Sequence, residues 1–183
     1  QPVLFGTAEP LSTVRIYDNA FCAGVPIATL PVDGTGDISI TIDVADNSVS
    51  LWHADAIAGT DLPSPCTETG VEYIEDSLAP EPPALTATDP ESPSQSTGLS
   101  ITGKSEPGVT VQVWPNETCE GAALATAIAD ELGGFTLGTA VLENSTQGFA
   151  AKATDAAGNV SACGKPLFYT SDTIAPAAPI LTG

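Results

Sequence analysis

Four cysteines, one histidine and 23 acidic residues are the groups in this 183-residue chain that could do chemistry. Thiolates at Cys-x-x-Cys spacing would hold zinc or run redox exchange, but Cys22, Cys66, Cys119 and Cys163 stand far apart, and His53 alone could complete a zinc site. The four suit disulfides, for which three pairings are possible. Nucleophilic and phosphate chemistry lack their marks, since the chain has no Gly-x-Ser-x-Gly and no Walker loop. His53 falls in an apolar run that reads as a strand. Paired carboxylates abound, but among 23 acids their pairing carries no weight. The chain therefore reads as non-enzymatic.

Formal net charge is −19, divided as −11 over residues 1–79 and −8 over the rest. The charge is spread over the whole chain, so it repels phosphate backbones and excludes nucleic acid as a partner. It keeps the chain soluble and attracts divalent cations. Two readings follow, plain solubility outside the cell or real cation sites. No apolar run approaches 18 residues, which excludes membrane insertion in this segment. No signal-peptide pattern opens the chain, so any export signal or anchor is expected outside this stretch.

The elements that must position these groups come twice. Gly6-Thr7-Ala8-Glu9-Pro10 recurs as Gly103-Lys104-Ser105-Glu106-Pro107, 97 residues on. Cys22-Ala23-Gly24 recurs as Cys119-Glu120-Gly121, and Cys66 as Cys163, at the same spacing. Asp76-Ser77-Leu78-Ala79-Pro80 recurs as Asp172-Thr173-Ile174-Ala175-Pro176. A period this long suits two tandem domains and not a solenoid. The expected domains are 1–79 and 80–183, with proline-rich linkers at about 79–83 and 175–179. Prolines at that density favour extended geometry and would line the domains up end to end. Pro179-Ile180-Leu181-Thr182-Gly183 matches Pro83-Ala84-Leu85-Thr86-Ala87, which reads as the first strand of a further repeat in a longer array.

The repeat argues for the pairings Cys22–Cys66 and Cys119–Cys163 among the three. Disulfides imply an oxidising compartment: periplasm, cell surface or outside. Short alternating runs separated by Gly, Pro, Asn and Asp make the chain all-β, with about seven strands per repeat. Val14 and Ile16, then Ile38, Ile40 and Ile42, point inward at period two, as do Val109, Val111 and Val113 in the second repeat. Trp52 aligns with Phe149. Lys152-Ala153-Thr154-Asp155-Ala156-Ala157-Gly158-Asn159-Val160-Ser161-Ala162-Cys163 reads as a strand, a tight turn and a second strand. Asp89–Gly98 is polar and is expected to be the most mobile segment. Three sequons, at Asn116, Asn144 and Asn159, read as turns.

Gly-x-x-Glu-Pro before an alternating strand, Ala-Thr-Asp-Ala-Ala-Gly-Asn before the last strand and Asp-x-x-Ala-Pro at the boundary resemble the immunoglobulin-like repeats of large bacterial secreted or surface adhesins. The paired cysteines point to a disulfide-bearing subset. The first repeat departs from the pattern at Ala54-Asp55-Ala56-Ile57-Ala58-Gly59-Thr60-Asp61, so its last turn is longer or differently shaped. The resemblance implies two tandem immunoglobulin-like β-sandwiches that act as an extracellular spacer or stalk, holding an adhesive tip away from the cell. Partners would be neighbouring repeats of the same chain and, through the parent protein, a host or cell-surface receptor.

Calcium often stiffens junctions between such repeats, and it needs six to eight oxygens. An immunoglobulin-type strand order is expected to place Glu9 and Asp76 together at one end of repeat 1. It would place Asn116, Glu117 and Asp155 together at the facing end of repeat 2, with Glu106 and Asp172 serving a further junction. The plainer reading is that these residues shape turns and cap amides. Each disulfide is expected to pin two loops beside the last hairpin's turn. For ligand binding, Trp114 with Tyr17 and Tyr73 could form a sugar platform. Exposure of Trp114 beside a groove would indicate a glycan or receptor surface, and burial of both tryptophans would indicate a spacer.

Overall fold

A computed structural model describes residues 1–59 and 62–180. The further-repeat reading at Leu181–Gly183, and the Thr60-Asp61 part of the long turn, lie outside them. The chain forms two compact units, Gln1–Ser77 and Leu78–Gly183. Among the described residues every named element is a β-strand and every pairing between strands is antiparallel.

Unit 1 has six strands: β1 (Val3–Thr7), β2 (Thr13–Tyr17), β3 (Ala28–Pro31), β4 (Asp37–Thr41), β5 (Val49–Ile57) and β6 (Val71–Ile74). They form a sheet in the order β3-β2-β5-β6 and a two-stranded sheet, β1-β4. Unit 2 has seven: β7 (Ala84–Asp89), β8 (Gly98–Lys104), β9 (Thr110–Trp114), β10 (Ala125–Ile128), β11 (Gly134–Ala140), β12 (Ser145–Thr154) and β13 (Leu167–Ser171). Its sheets run β10-β9-β12-β13 and β11-β8-β7. Strand by strand, β8–β13 repeat β1–β6, and β7 is the one element of unit 2 without a counterpart in unit 1. Among the described residues the seven-strand expectation thus fits unit 2, and unit 1 shows six.

The alternation works as a packing code, since successive side chains leave opposite faces of a strand. Val111, Val113, Phe149, Ala151 and Ala153 face inward from one sheet of unit 2, and Leu99, Ile101, Phe135 and Leu137 meet them from the other. In unit 1, Val14, Ile16 and Trp52 face Leu4, Ile38 and Ile40, and Trp52 stacks on Tyr73 with ring centroids 6.0 Å apart. Phe149 and Trp52 hold equivalent central places, as their alignment predicts.

Two connections need particular residues. At the β10–β11 turn Gly133 has φ 74°, and a Cβ there would stand 2.2 Å from the Ser105 carbonyl oxygen. Asn47 and Asn144, both at φ 53°, turn the chain into β5 and β12. Their side-chain oxygens accept hydrogen bonds from the Ser77 and Thr173 amides, tying the segment after the last strand of each unit to that turn.

The segment 89–98 is held, which corrects the expectation of mobility. The Ser94 amide donates to the Thr170 carbonyl, and its own carbonyl accepts from Asp172. Thr170 N donates to Ser92 Oγ, and Tyr169 OH donates to the Ser96 carbonyl. The segment runs along β13 as an added edge, and those bonds outweigh its polar composition.

Candidate functional site

The cysteines pair as Cys22–Cys66 and Cys119–Cys163, with Cα atoms 5.6 and 5.8 Å apart. The bridges do not sit beside the last hairpin's turn. Gly164 N donates to Ala151 O, and Ala151 pairs with Val113, so Cys163 lies level with the end of β9 that is remote from Asp155. Each bridge fastens the loop after the second strand of its repeat to the edge segment that leads into the last strand. An asparagine builds that loop. Asn116 Oδ1 accepts from the Thr118 and Glu120 amides while its Nδ2 donates to Glu120 O. Asn19 does the same with Phe21 and Ala23. Sequence reading missed Asn19 and gave Asn116 another task; the recurrence of Asn three residues before each loop cysteine was the available signal.

Trp114 is 8% exposed and therefore no ligand platform. It follows Val113 and so faces away from the main core. There it packs with Cys119, Ala150, Ala123 and Cys163 in a small second core on the outer surface of the sheet. Its indole N–H donates to Gly121 O at 3.0 Å, which satisfies the polar edge that burial would otherwise strand. The Lys152 ammonium lies 5.9 Å from its ring centre. The equivalent pair in unit 1, Tyr17 and His53, is buried as well and cross-paired between β2 and β5. His53 Nδ1 lies 2.9 Å from Thr67 O, an internal anchor for the lone histidine. Beside them Arg15 grips Asp55 with two hydrogen bonds, 2.8 and 2.5 Å long.

The expected cation ligands do not converge within either unit. Antiparallel strands reverse direction at every turn, so an odd number of strands between two residues places them at opposite ends. Five strands, β2–β6, separate Glu9 from Asp76, and three, β10–β12, separate Asn116 and Glu117 from Asp155. Thr110 pairs with Thr154, and Trp114 with Ala150, so strand β9 alone puts about 13 Å between Asp155 and Asn116. Glu9, Glu117 and Asp76 are exposed. Glu106 accepts from the Glu81 amide, and Asp172 from the Ile174 amide. Among the described residues no three His, Cys, Asp or Glu gather as a metal-binding group.

Three aspartates are held ionised by the turns they shape. Asp33 lies below the ordinary carboxylate range because the Thr35 hydroxyl and then the Thr35 amide bond to it. Asp130, its counterpart 97 residues on, is lowered by the Gly134 and Leu132 amides. Burial pushes Asp155 up, but the Asn159 side chain and the Asn159, Gly158 and Ala157 amides outweigh that and bring it down. A carboxylate whose folded pKa is depressed contributes stability above its unfolded value and loses it as pH falls through the folded one. The melting temperature should therefore hold from neutral pH to about 4 and then fall. A triple variant Asp33→Asn, Asp130→Asn, Asp155→Asn should show a shallower acid limb in calorimetry between pH 5 and 2. An unchanged limb would remove these turns as its cause.

Residues 79–166 match a family described as the bacterial Ig domain. No curated protein matches the sequence. Among solved structures, a biofilm-associated protein's BSP domain aligns over 95% of this chain at 17% identity, with a TM-score of 0.38. The chain spans 28% of the length of that structure.

Proposed function

We propose, from the match of residues 79–166 to the bacterial Ig domain family, that this chain is a non-catalytic, extracellular spacer module of a bacterial surface adhesin or cell-surface protein. Its role is to hold an adhesive tip away from the cell. Its immediate partners are neighbouring repeats of the same chain. The observation that carries the reading is the burial of both tryptophans, Trp52 inside the sandwich and Trp114 under the disulfide loop. Side chains that could bind or react are instead engaged in holding the fold: Asn19 and Asn116 in loops, Asp33, Asp130 and Asp155 in turns, His53 on a backbone carbonyl. Crosslinks in both repeats suit an oxidising exterior, where no repair of an unfolded module is at hand.

A replacement experiment in the parent protein tests this. Exchanging residues 1–183 for an unrelated rigid spacer of equal length should leave adhesion within about twofold, a change under 0.5 kcal/mol in binding terms. Deleting them without replacement should abolish it. Loss of adhesion after the length-matched exchange would contradict the spacer reading and favour a binding surface on these modules.

A further inference from the structure

Two adjoining strands of unit 1 turn apolar side chains to solvent at a place that unit 2 closes for itself. Trp52 and Tyr73 stack inside the sandwich. Their out-of-phase neighbours, Val49 and Leu51 on β5 and Ile74 on β6, therefore leave by the outer face of the sheet. Val49 and Ile74 pair directly across the two strands. They are 67% and 63% exposed, and Leu51 is 45% exposed. Strand β5 is flanked by β2 and β6, so Val49 and Leu51 stand on an inner strand and their exposure belongs to the face of the sheet, not to its edge.

The same place in unit 2 is self-contained. Thr146 and Thr170 stand for Val49 and Ile74, and their hydroxyls share a hydrogen bond of 2.8 Å. Gly148 stands for Leu51 and Phe168 for Glu72. The Phe168 ring lies over Gly148, with Cε1 3.0 Å from where a Cβ would be. The loop after β9 reaches this face as well, since Glu117 Cγ lies 3.1 Å from the same Cβ position. In unit 1 the loop that follows the equivalent strand carries Phe21, which is 85% exposed.

Acids surround the unit 1 patch. Glu72 pairs with Leu51 and shares its face of the sheet. Glu75 is tied to the turn into β5, where its amide donates to Ser48 O and its carboxylate accepts from the Asn47 amide. Asp46 is exposed in that turn. Arg15 is the one Lys or Arg in residues 1–79, and Asp55 holds it, so no Lys or Arg of unit 1 offsets these carboxylates.

We propose that this face of unit 1 docks a cationic amphipathic segment of another protein. Apolar side chains of the segment cover Val49, Leu51 and Ile74, and its lysines or arginines meet Glu72, Glu75 and Asp46. Charge selects that occupant. A second copy would bring the same acids to the contact, and the whole chain has four Lys and Arg against 23 Asp and Glu. An apolar centre with a polar rim is the usual anatomy of a contact between separate proteins. The proposal goes beyond the spacer reading and does not rest on it.

The test uses the full chain and a synthetic amphipathic peptide made of leucine and lysine, with a leucine–glutamate peptide of the same pattern as control. Amide NMR shifts on titration should be confined to the neighbourhood of β5 and β6, and the equivalent amides of β12 and β13 serve as the internal control. The double variant Val49→Thr, Ile74→Thr takes the residues of unit 2 and should weaken binding about tenfold. Glu72→Lys leaves the apolar centre intact and should weaken it by a similar factor. The Trp52 emission, unchanged in both variants, checks that unit 1 stays folded. The leucine–glutamate peptide should not bind. Shifts spread over both units, or equal binding by the double variant, would mean attraction by net charge alone and would overturn the patch. Equal binding of the two peptides would overturn the cationic partner. Self-association of the full chain in sedimentation velocity, abolished by the double variant, would replace that partner by a second copy. Absence of binding by the leucine–lysine peptide would overturn the proposal outright.

Discussion

Replacing Cys119 and Cys163 together by alanine should lower the stability of unit 2 by about 4 kcal/mol, the chain-entropy value for a loop of this length. The bridge closes a sequence separation of 44 residues that contains β10–β12, so its loss frees a long loop of the unit's unfolded chain. It also loosens the outer cluster, in which Cys119 and Cys163 cover Trp114 and Ala150. For a domain with a total of about 5–15 kcal/mol, this is a large share. Denaturation followed through Trp114 in a Trp52→Phe background would read it, because each unit has one tryptophan. A loss below about 1 kcal/mol would mean that the loop is held by Asn116 and Trp114 without help from the crosslink.

Phe149→Ala should cost about 3–5 kcal/mol, the usual range for emptying a phenylalanine site in a packed core. Phe149 is fully buried between Val111, Val113 and the facing Leu99–Ile101 strand, and alanine leaves a void that short β-sheet side chains cannot close. The effect should stay within unit 2. The Trp52 transition, which reports unit 1, should move by less than about 0.5 kcal/mol because the two cores share no residue. A parallel shift of both transitions would show that the repeats fold as one body.

The period of 97 residues, the pairing of cysteines within repeats and the inward-facing positions at Val14, Ile16, Val111 and Val113 were legible because each is a pattern along the chain. Alternation gives the face of a strand directly, and duplication gives the register between repeats. The ends of the sandwich were not legible. Whether two residues share an end depends on the number of strands between them, and the odd counts, five between Glu9 and Asp76 and three between Asn116 and Asp155, could not be read from alternation alone. Trp114 misled for a different reason. It lies one position out of phase with Val111 and Val113, which on a simple sandwich means solvent. Only the folding of residues 115–124 back over the sheet, tied by the bridge, makes that outer position buried. Asp89–Gly98 looked loose because its polar groups have no partners nearby in sequence; their partners are on β13, about 75 residues away.

The outer cluster also explains why a sequence with so many acids and so few aromatics spends two buried aromatics outside its main cores. Tyr17 and Trp114 hold equivalent positions 97 residues apart, both buried and each beside a cation, Arg15 or Lys152, at 5.8 and 5.9 Å. On the spacer role proposed above, load runs along the chain and must be borne by the edges of each sandwich, among them the loop that follows β2 or β9. A bridge to the edge segment fastens that loop in both repeats.

Pulling single molecules from their two ends, with and without reductant, tests the central claim most directly. Two independently folded, internally crosslinked spacers should give two separate unfolding events, each releasing only the chain outside its bridge. Reduction should lengthen each release by about 150 Å, the reach of the 44-residue separation that the bridge holds closed. One merged event, or releases that reductant leaves unchanged, would contradict it.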